Sequence, residues 1–276
     1  MNRKNLIYDL FNLENKTVIL TGSSGRLGSQ YAHILSASGA NVILVDKEIK
    51  KNKKLEQELI KKYNTKAVAY TTDISIKKDV IKMKNSVLKK FKKIDVLINN
   101  AFYAGLTDGN KSKYSAVSLE NFPLELWNQV INVNLTGVFL CSQEIGTIMA
   151  KQKNGVIVNI ASIYGLVGAD QRIYGKSKLN SHISYAATKG AIVNLTRYLA
   201  AYWQKKNVRV NTLSLGGMLD KSYMDKTFIK NYSEKTILGR MANNNEYNAA
   251  ILFLSSNASS YMTGSNLILD GGWTAW

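Results

Sequence analysis

Cysteine, proline and histidine are nearly absent: one Cys (Cys141), one Pro (Pro123) and two His (His33, His182) in 276 residues. A lone thiol excludes an intrachain disulfide and a cysteine-based metal centre. The two histidines lie far apart in sequence, and no carboxylate cluster offers a metal site in their place. Acid is scarce as well, with 19 Asp and Glu against 37 Lys and Arg, a formal charge of +18. No apolar run reaches the ~20 residues of a membrane-spanning helix. Residues 1–10 are mixed polar, without the apolar segment and cleavage site of a secretion signal, so a cytoplasmic protein is expected. Linkers, repeats and low-complexity tracts are missing too, which predicts one domain over residues 1–276.

The charge admits three readings. The lysines concentrate in 47–66 and 77–93, where they alternate with apolar residues at helical spacing. That pattern predicts two solvated helix faces. A nucleic-acid surface would also be basic, and a basic field also steers small anions such as a sugar phosphate.

What is present is a repeated strand-then-helix pattern. Apolar, β-branched runs predict strands at 17–21, 41–46, 67–70, 94–98, 155–160, 208–213 and 266–269. Helices are expected at 27–38, 55–63, 80–91, 124–150, 185–203 and 244–255. Such alternation implies βαβ units. Strands that are apolar on both faces imply a parallel sheet covered by helices on each side. The expected fold is α/β, a Rossmann-like, doubly wound parallel sheet of about seven strands, with its ligand crevice at the strands' C-terminal ends.

The first strand runs into Thr21-Gly-Ser-Ser-Gly-Arg-Leu-Gly28. Glycines at a strand-to-helix turn allow a tight bend and close approach of a pyrophosphate to the helix N-terminus. Gly22, Ser24, Gly25, Arg26, Leu27 and Gly28 are therefore candidate cofactor residues. Asp46 ends the second strand, where a carboxylate can accept from adenosine ribose hydroxyls and repel a 2′-phosphate. That favours NAD. Arg26 and Lys47 flank the position and would suit NADP if they faced a 2′-phosphate; otherwise they are solvated side chains.

With these come Asp73-Ile74, Asn99-Asn100-Ala101, Asn132-Val-Asn134-Leu-Thr-Gly137, Asn159-Ile-Ala-Ser162, Tyr185-Ala-Ala-Thr-Lys189, Asn211, Gly216 and Asp270-Gly271-Gly272, in this order. From Leu13 to Trp276 the sequence resembles the short-chain dehydrogenase/reductase family. The resemblance implies an NAD(P)-dependent oxidoreductase that moves a hydride between nicotinamide and a carbonyl or secondary alcohol. It implies adenine contact by Asp73 with Ile74 beside it, and cofactor contacts by Asn100, Ala101 and Gly216. It also implies a homodimer or homotetramer, built on the helices carrying Asn134 and Tyr185 and on the last strand. The aromatic end Trp273–Trp276 suits either that interface or the chain's own core. Three positions depart from the family pattern: Arg26 replaces the middle glycine, Phe102 a small residue, and Leu215 a proline.

A tyrosine exchanges a proton near neutral pH only if its phenolate is stabilised, because its ordinary pKa is about 10. A nearby ammonium does this. Tyr185 and Lys189 are four residues apart, on one helix face. The resemblance makes them catalytic and cofactor-binding, with Ser162 orienting the substrate oxygen and Asn134 anchoring a water-mediated proton relay. A second Tyr-x-x-x-Lys, Tyr174 to Lys178, lies 12 residues after Ser162, whereas Tyr185 lies 23 after it. Spacing favours Tyr174. The sustained amphipathic pattern after Lys189 favours Tyr185. On that reading 165–184 holds an insertion over the substrate site.

Several stretches, among them 120–127, 162–167 and 269–276, are similar to bacterial flagellin modification protein A oxidoreductases of legionaminic, sialic-acid-like sugar biosynthesis. That similarity implies a phosphorylated amino sugar or nucleotide sugar as substrate. Loops 165–184 and 215–238 are expected to contact it, with Arg172, Lys176 and Lys178 as phosphate ligands or plain exposed cations. Two further readings stand beside this one: a reductase of another carbonyl class (3-oxoacyl thioester or polyol), and a non-enzymatic NAD-sensing or nucleic-acid-binding protein.

Overall fold

The computed structural model describes residues 3–105, 117–176, 180–222 and 224–276. Seven strands form one sheet: β1 (Thr17–Thr21), β2 (Asn41–Asp46), β3 (Ala67–Thr71), β4 (Val96–Asn99), β5 (Gly155–Ser162), β6 (Val208–Leu215) and β7 (Asn266–Leu269). Their order is β3-β2-β1-β4-β5-β6-β7, and every neighbouring pair is parallel. The order reverses between β1 and β4, which opens a crevice above their C-terminal ends.

Helices cover both faces. On one lie α2 (Arg26–Ala37), α3 (Ile49–Tyr63) and α9 (Asn248–Ser255); on the other α4 (Lys77–Phe91), α6 (Gly137–Gln152) and α7 (Ile183–Tyr202). The two-residue strand period sorts the core between them. Val18 and Leu20 of β1 join the first layer with Leu35, Leu59 and Ile251. Ile19 joins the second with Met83, Ile145 and Leu199. A third, smaller cluster (Ile163, Ile173, Tyr232, Met241 and Trp273) stands apart beyond the ends of β5 and β6. It is backed by α8 (Lys226–Ser233).

Two helices were not expected. The short polar α1 (Arg3–Phe11) leaves Leu6 and Ile7 exposed, so it carries no apolar stripe to recognise. α8 lies within what reads as a loop, and it starts where Asp225 caps it by accepting from the Phe228 N–H at 2.8 Å. The expected single helix 124–150 is broken into α5 (Leu124–Ile131), a π segment (Asn132–Thr136) and α6. α3 begins six residues early, because one inward position holds a polar residue. Asn52 is fully buried, accepting from the Ser23 hydroxyl at 2.7 Å and donating to the Leu44 carbonyl at 2.9 Å. The lysines of α3 and α4 lie outward, over inner rows Leu55 and Leu59 and Val80, Met83 and Val87, except Lys84, which is largely buried in a pair with Glu144 of α6. Among the described residues no helix is long and apolar enough to cross a membrane.

Candidate active site

A cleft of about 760 Å³ opens at the β1/β4 reversal. Its size suits a cofactor with substrate beside it. One half is built by the glycine turn. Gly22 has φ +64°, and a Cβ there would lie 2.6 Å from Ala101 Cα. A Cβ at Gly28 would lie 2.1 Å from the Gly22 carbonyl oxygen. These glycines therefore keep the turn tight against α2. The first backbone N–H groups of α2, from Arg26, Leu27 and Gly28, have no carbonyl of their own helix to bond and can hold an anion. Asn100 fastens the turn to β4 by donating to the Thr21 and Gly22 carbonyls at 3.0 and 3.1 Å. Asp46 accepts from the Ser24 N–H at 2.9 Å and the Glu48 N–H at 3.0 Å. One bond to each oxygen leaves lone pairs for ribose hydroxyls. This cradle fits a dinucleotide.

Both cations flanking the adenosine position are already paired. Arg26 lines the cleft, but its guanidinium bonds Asp220 at 2.6 Å, the Leu219 carbonyl and the Asn244 side chain. Lys47 pairs with Asp73 at 2.6 Å. Asp73 stands behind Lys47, between Thr72 and Ile74 of the cleft wall. Its carboxyl sits below the usual carboxylate range despite burial, through the bonds from Lys47 and Ser75.

The other half centres on Tyr185. Tyr185 and Ser162 share a hydrogen bond, and Ser162 Oγ also accepts from the Tyr164 N–H at 3.2 Å. Lys189 is buried. Its Nζ donates to the Ile160 carbonyl at 2.8 Å and lies 5.7 Å from the Tyr185 ring centroid. Phe102, one of the departures, packs edge-on against Tyr185 and lies 5.3 Å beneath the Lys189 ammonium. Burial pushes Lys189 down to about 8. Burial also raises the Tyr185 phenol above its ordinary value, with the Ser162 bond pulling it back. Lys189 stands on the same face as the phenol, one helical turn on.

Asn134 lies buried in the π segment. Its side chain accepts from the Tyr103 N–H at 2.8 Å and donates to the Tyr103 carbonyl at 3.1 Å. It therefore fixes the strand-end segment that runs on from Asn100-Ala101. Gly216 lines the cleft and would collide with Asp270 Cα at 2.8 Å if it carried a Cβ.

Tyr174 also lines the cleft, but its ring packs on Phe228 at 5.3 Å and its hydroxyl bonds Ser181. Lys178, its sequence partner, lies outside the described residues. The geometry that unites tyrosine, serine and lysine belongs to Tyr185. Arg172 grips Asp170 with two nitrogens at 2.8 Å each, so its charge is spent within its own turn. The substrate side adds Tyr164, Met224, Phe228, Tyr232 and Met241. The last four come from or beside loop 215–238. Phe228 and Tyr232 lie on the two-turn α8, with Met224 and Met241 in irregular chain on either side. So few apolar positions carry little periodic signal, and only the loop, not its side chains, was legible.

Residues 23–274 match the family model described as enoyl-(acyl carrier protein) reductase. The chain belongs to the short-chain dehydrogenase/reductase family. As a member it is an oxidoreductase. It is 32% identical to a sorbose reductase of Candida albicans over 97% of this chain and 90% of that protein. It is 33% identical to an NAD-dependent glycerol dehydrogenase of Listeria innocua over 96% of each. A short-chain dehydrogenase from Leptospira borgpetersenii, solved with bound NAD+, is 34% identical with a TM-score of 0.80, covering 97% of this chain and 95% of that one. Relatives in the family use NAD or NADP. Here the glycine turn, Asp46, Tyr185 and Lys189 line the cleft and could hold such a cofactor, which would supply or take up the hydride.

Proposed function

We propose that this protein interconverts a secondary alcohol and a ketone on an uncharged polyol or sugar, with NAD as its preferred cofactor. The observation that carries the substrate class is the wall facing Tyr185: of the described residues lining the substrate half, Lys189 alone is charged. A phosphorylated amino sugar or nucleotide sugar, the finer expectation from the sequence, would need a cation there to offset desolvation of its phosphate. Sorbose and glycerol, named for the two relatives, are neutral polyhydroxylated compounds, in keeping with that wall. NAD is favoured by the free lone pairs of Asp46 and by the pairing of Arg26 and Lys47 elsewhere.

In this reading Tyr185 protonates the ketone oxygen during reduction and takes the alcohol proton during oxidation. Ser162 bonds the same oxygen. Lys189 holds the ribose and keeps positive charge near the phenol. Asn134 positions the Tyr103 segment beside them. The exposed aromatics Phe139, Tyr198 and Tyr202 on α6 and α7 support a homodimer or homotetramer, and a single buried thiol suits the cytoplasm.

The test is initial-rate oxidation of glycerol, mannitol, galactitol and a sugar phosphate with NAD+ and NADP+. Neutral polyols with NAD+ should give the highest kcat/KM. Tyr185→Phe should lower kcat by roughly 10²–10⁴-fold, and Tyr174→Phe far less. Turnover confined to the sugar phosphate would restore the finer expectation and overturn the neutral one.

A further inference from the structure

The cleft holds more phenols than proton transfer needs. Tyr164, Tyr174, Tyr185, Tyr232 and Tyr247 all line it. Four have hydroxyls that take part in a hydrogen bond. Tyr185 is bonded to Ser162 and Tyr174 to Ser181. Tyr232 accepts from the Gly217 N–H, and Tyr247 donates to the Gly216 carbonyl at 2.9 Å. Tyr164 is the exception: among the described residues no hydrogen bond reaches its hydroxyl.

Its ring is nevertheless held firmly. It stands perpendicular to Tyr185, with centroids 6.3 Å apart. It belongs to the helical turn Ile163–Gly165, which Ser162 caps. Gly165 closes that turn against α7 so tightly that a Cβ would lie 2.6 Å from the Lys189 carbonyl oxygen. The ring is therefore tied to both Ser162 and the helix of Tyr185. Burial raises the Tyr164 phenol, so its hydroxyl remains a neutral donor at any physiological pH. A half-buried donor without a partner costs free energy until a ligand atom completes it. Around it Met224, Phe228 and Met241 offer no strong donor or acceptor, while the nearby Tyr174 and Tyr232 hydroxyls and the Asp170 carboxylate are bonded to other groups.

We infer that Tyr164 is a specificity-determining residue whose hydroxyl bonds a second oxygen on the carbon adjacent to the reacting one, so that the enzyme selects vicinal diols and α-hydroxy ketones over compounds with a single oxygen. This rests on the polyol reading above and adds the feature of the polyol that is recognised.

The test compares meso-2,3-butanediol with 2-butanol, the same skeleton less one hydroxyl, as NAD+-dependent substrates. The parent should prefer the diol. Tyr164→Phe should cut the diol-to-monoalcohol ratio of kcat/KM about five- to tenfold, the worth of one neutral hydrogen bond. Tyr164→His, which restores a ring donor, should recover part of it. NADH titration within about twofold of the parent shows the variants folded. A ratio unchanged by Tyr164→Phe, or a parent without diol preference, overturns the assignment of Tyr164 while leaving the polyol reading intact. A parent that oxidises neither these alcohols nor the longer polyols overturns that reading and the inference with it.

Discussion

Lys189 is an ammonium where water barely reaches, and burial alone sets its pKa near 8. The sign of the consequence is fixed. In the unfolded chain a lysine titrates near 10.4. Between about pH 8 and 10.4 the folded state binds fewer protons than the unfolded one, so stability from this group rises with pH across that window. Below it the folded chain carries the whole cost of a buried charge. Lys189→Met should therefore be more stable than the parent at pH 7, with the advantage gone by about pH 10, as urea midpoints at the two values would show. A constant gap, or none, would mean that the carbonyl of Ile160 and the face of Phe102 offset the burial fully. Sequence spacing did pair Lys189 with Tyr185. It did not reveal which way the phenol shifts, because desolvation depends on what packs over the pair.

α7 is held to the sheet by a buried polar chain. Asn99 donates to Asn159 at 2.8 Å, Asn159 to Thr196 at 2.8 Å, and the Thr212 hydroxyl bonds Thr196 at 2.7 Å. The chain crosses β4, β5, α7 and β6 and lands two turns beyond Lys189. Thr196→Val keeps the shape but leaves Asn159 and Thr212 without a partner. It should cost roughly 1–3 kcal/mol by urea unfolding. At this scale the sequence was read well where an element packs apolar residues at a regular period, as in β1, β2 and α7. It was read poorly where polar residues do the packing. Asn52 hid the first two turns of α3, and the amide-rich run Asn132–Thr136 hid a π segment inside what reads as one helix. The glycine turn was legible because its geometry leaves few residue choices. The pairing of Arg26 with Asp220 was not, since 194 residues separate the partners.

The whole molecule carries +18, with many of its lysines exposed on α3 and α4, and Lys47 and Lys51 line the adenosine half of the cleft. A dinucleotide is an anion. Association of NADH should slow several-fold as ionic strength rises from about 0.01 to 0.15 M, while the Debye length falls from about 30 to 8 Å, and dissociation should change little. Stopped-flow fluorescence separates the two rates; a salt effect confined to dissociation would place the charge in contact rather than in steering. The apolar clusters have a different bearing. Two large ones hold the sheet, and the small one of Ile163, Ile173, Tyr232, Met241 and Trp273 backs the substrate wall without joining either. Substitutions there can reshape what the enzyme accepts while the layers that hold the nucleotide stay intact. Selection can thus alter diet and durability in this lineage through separate sets of residues.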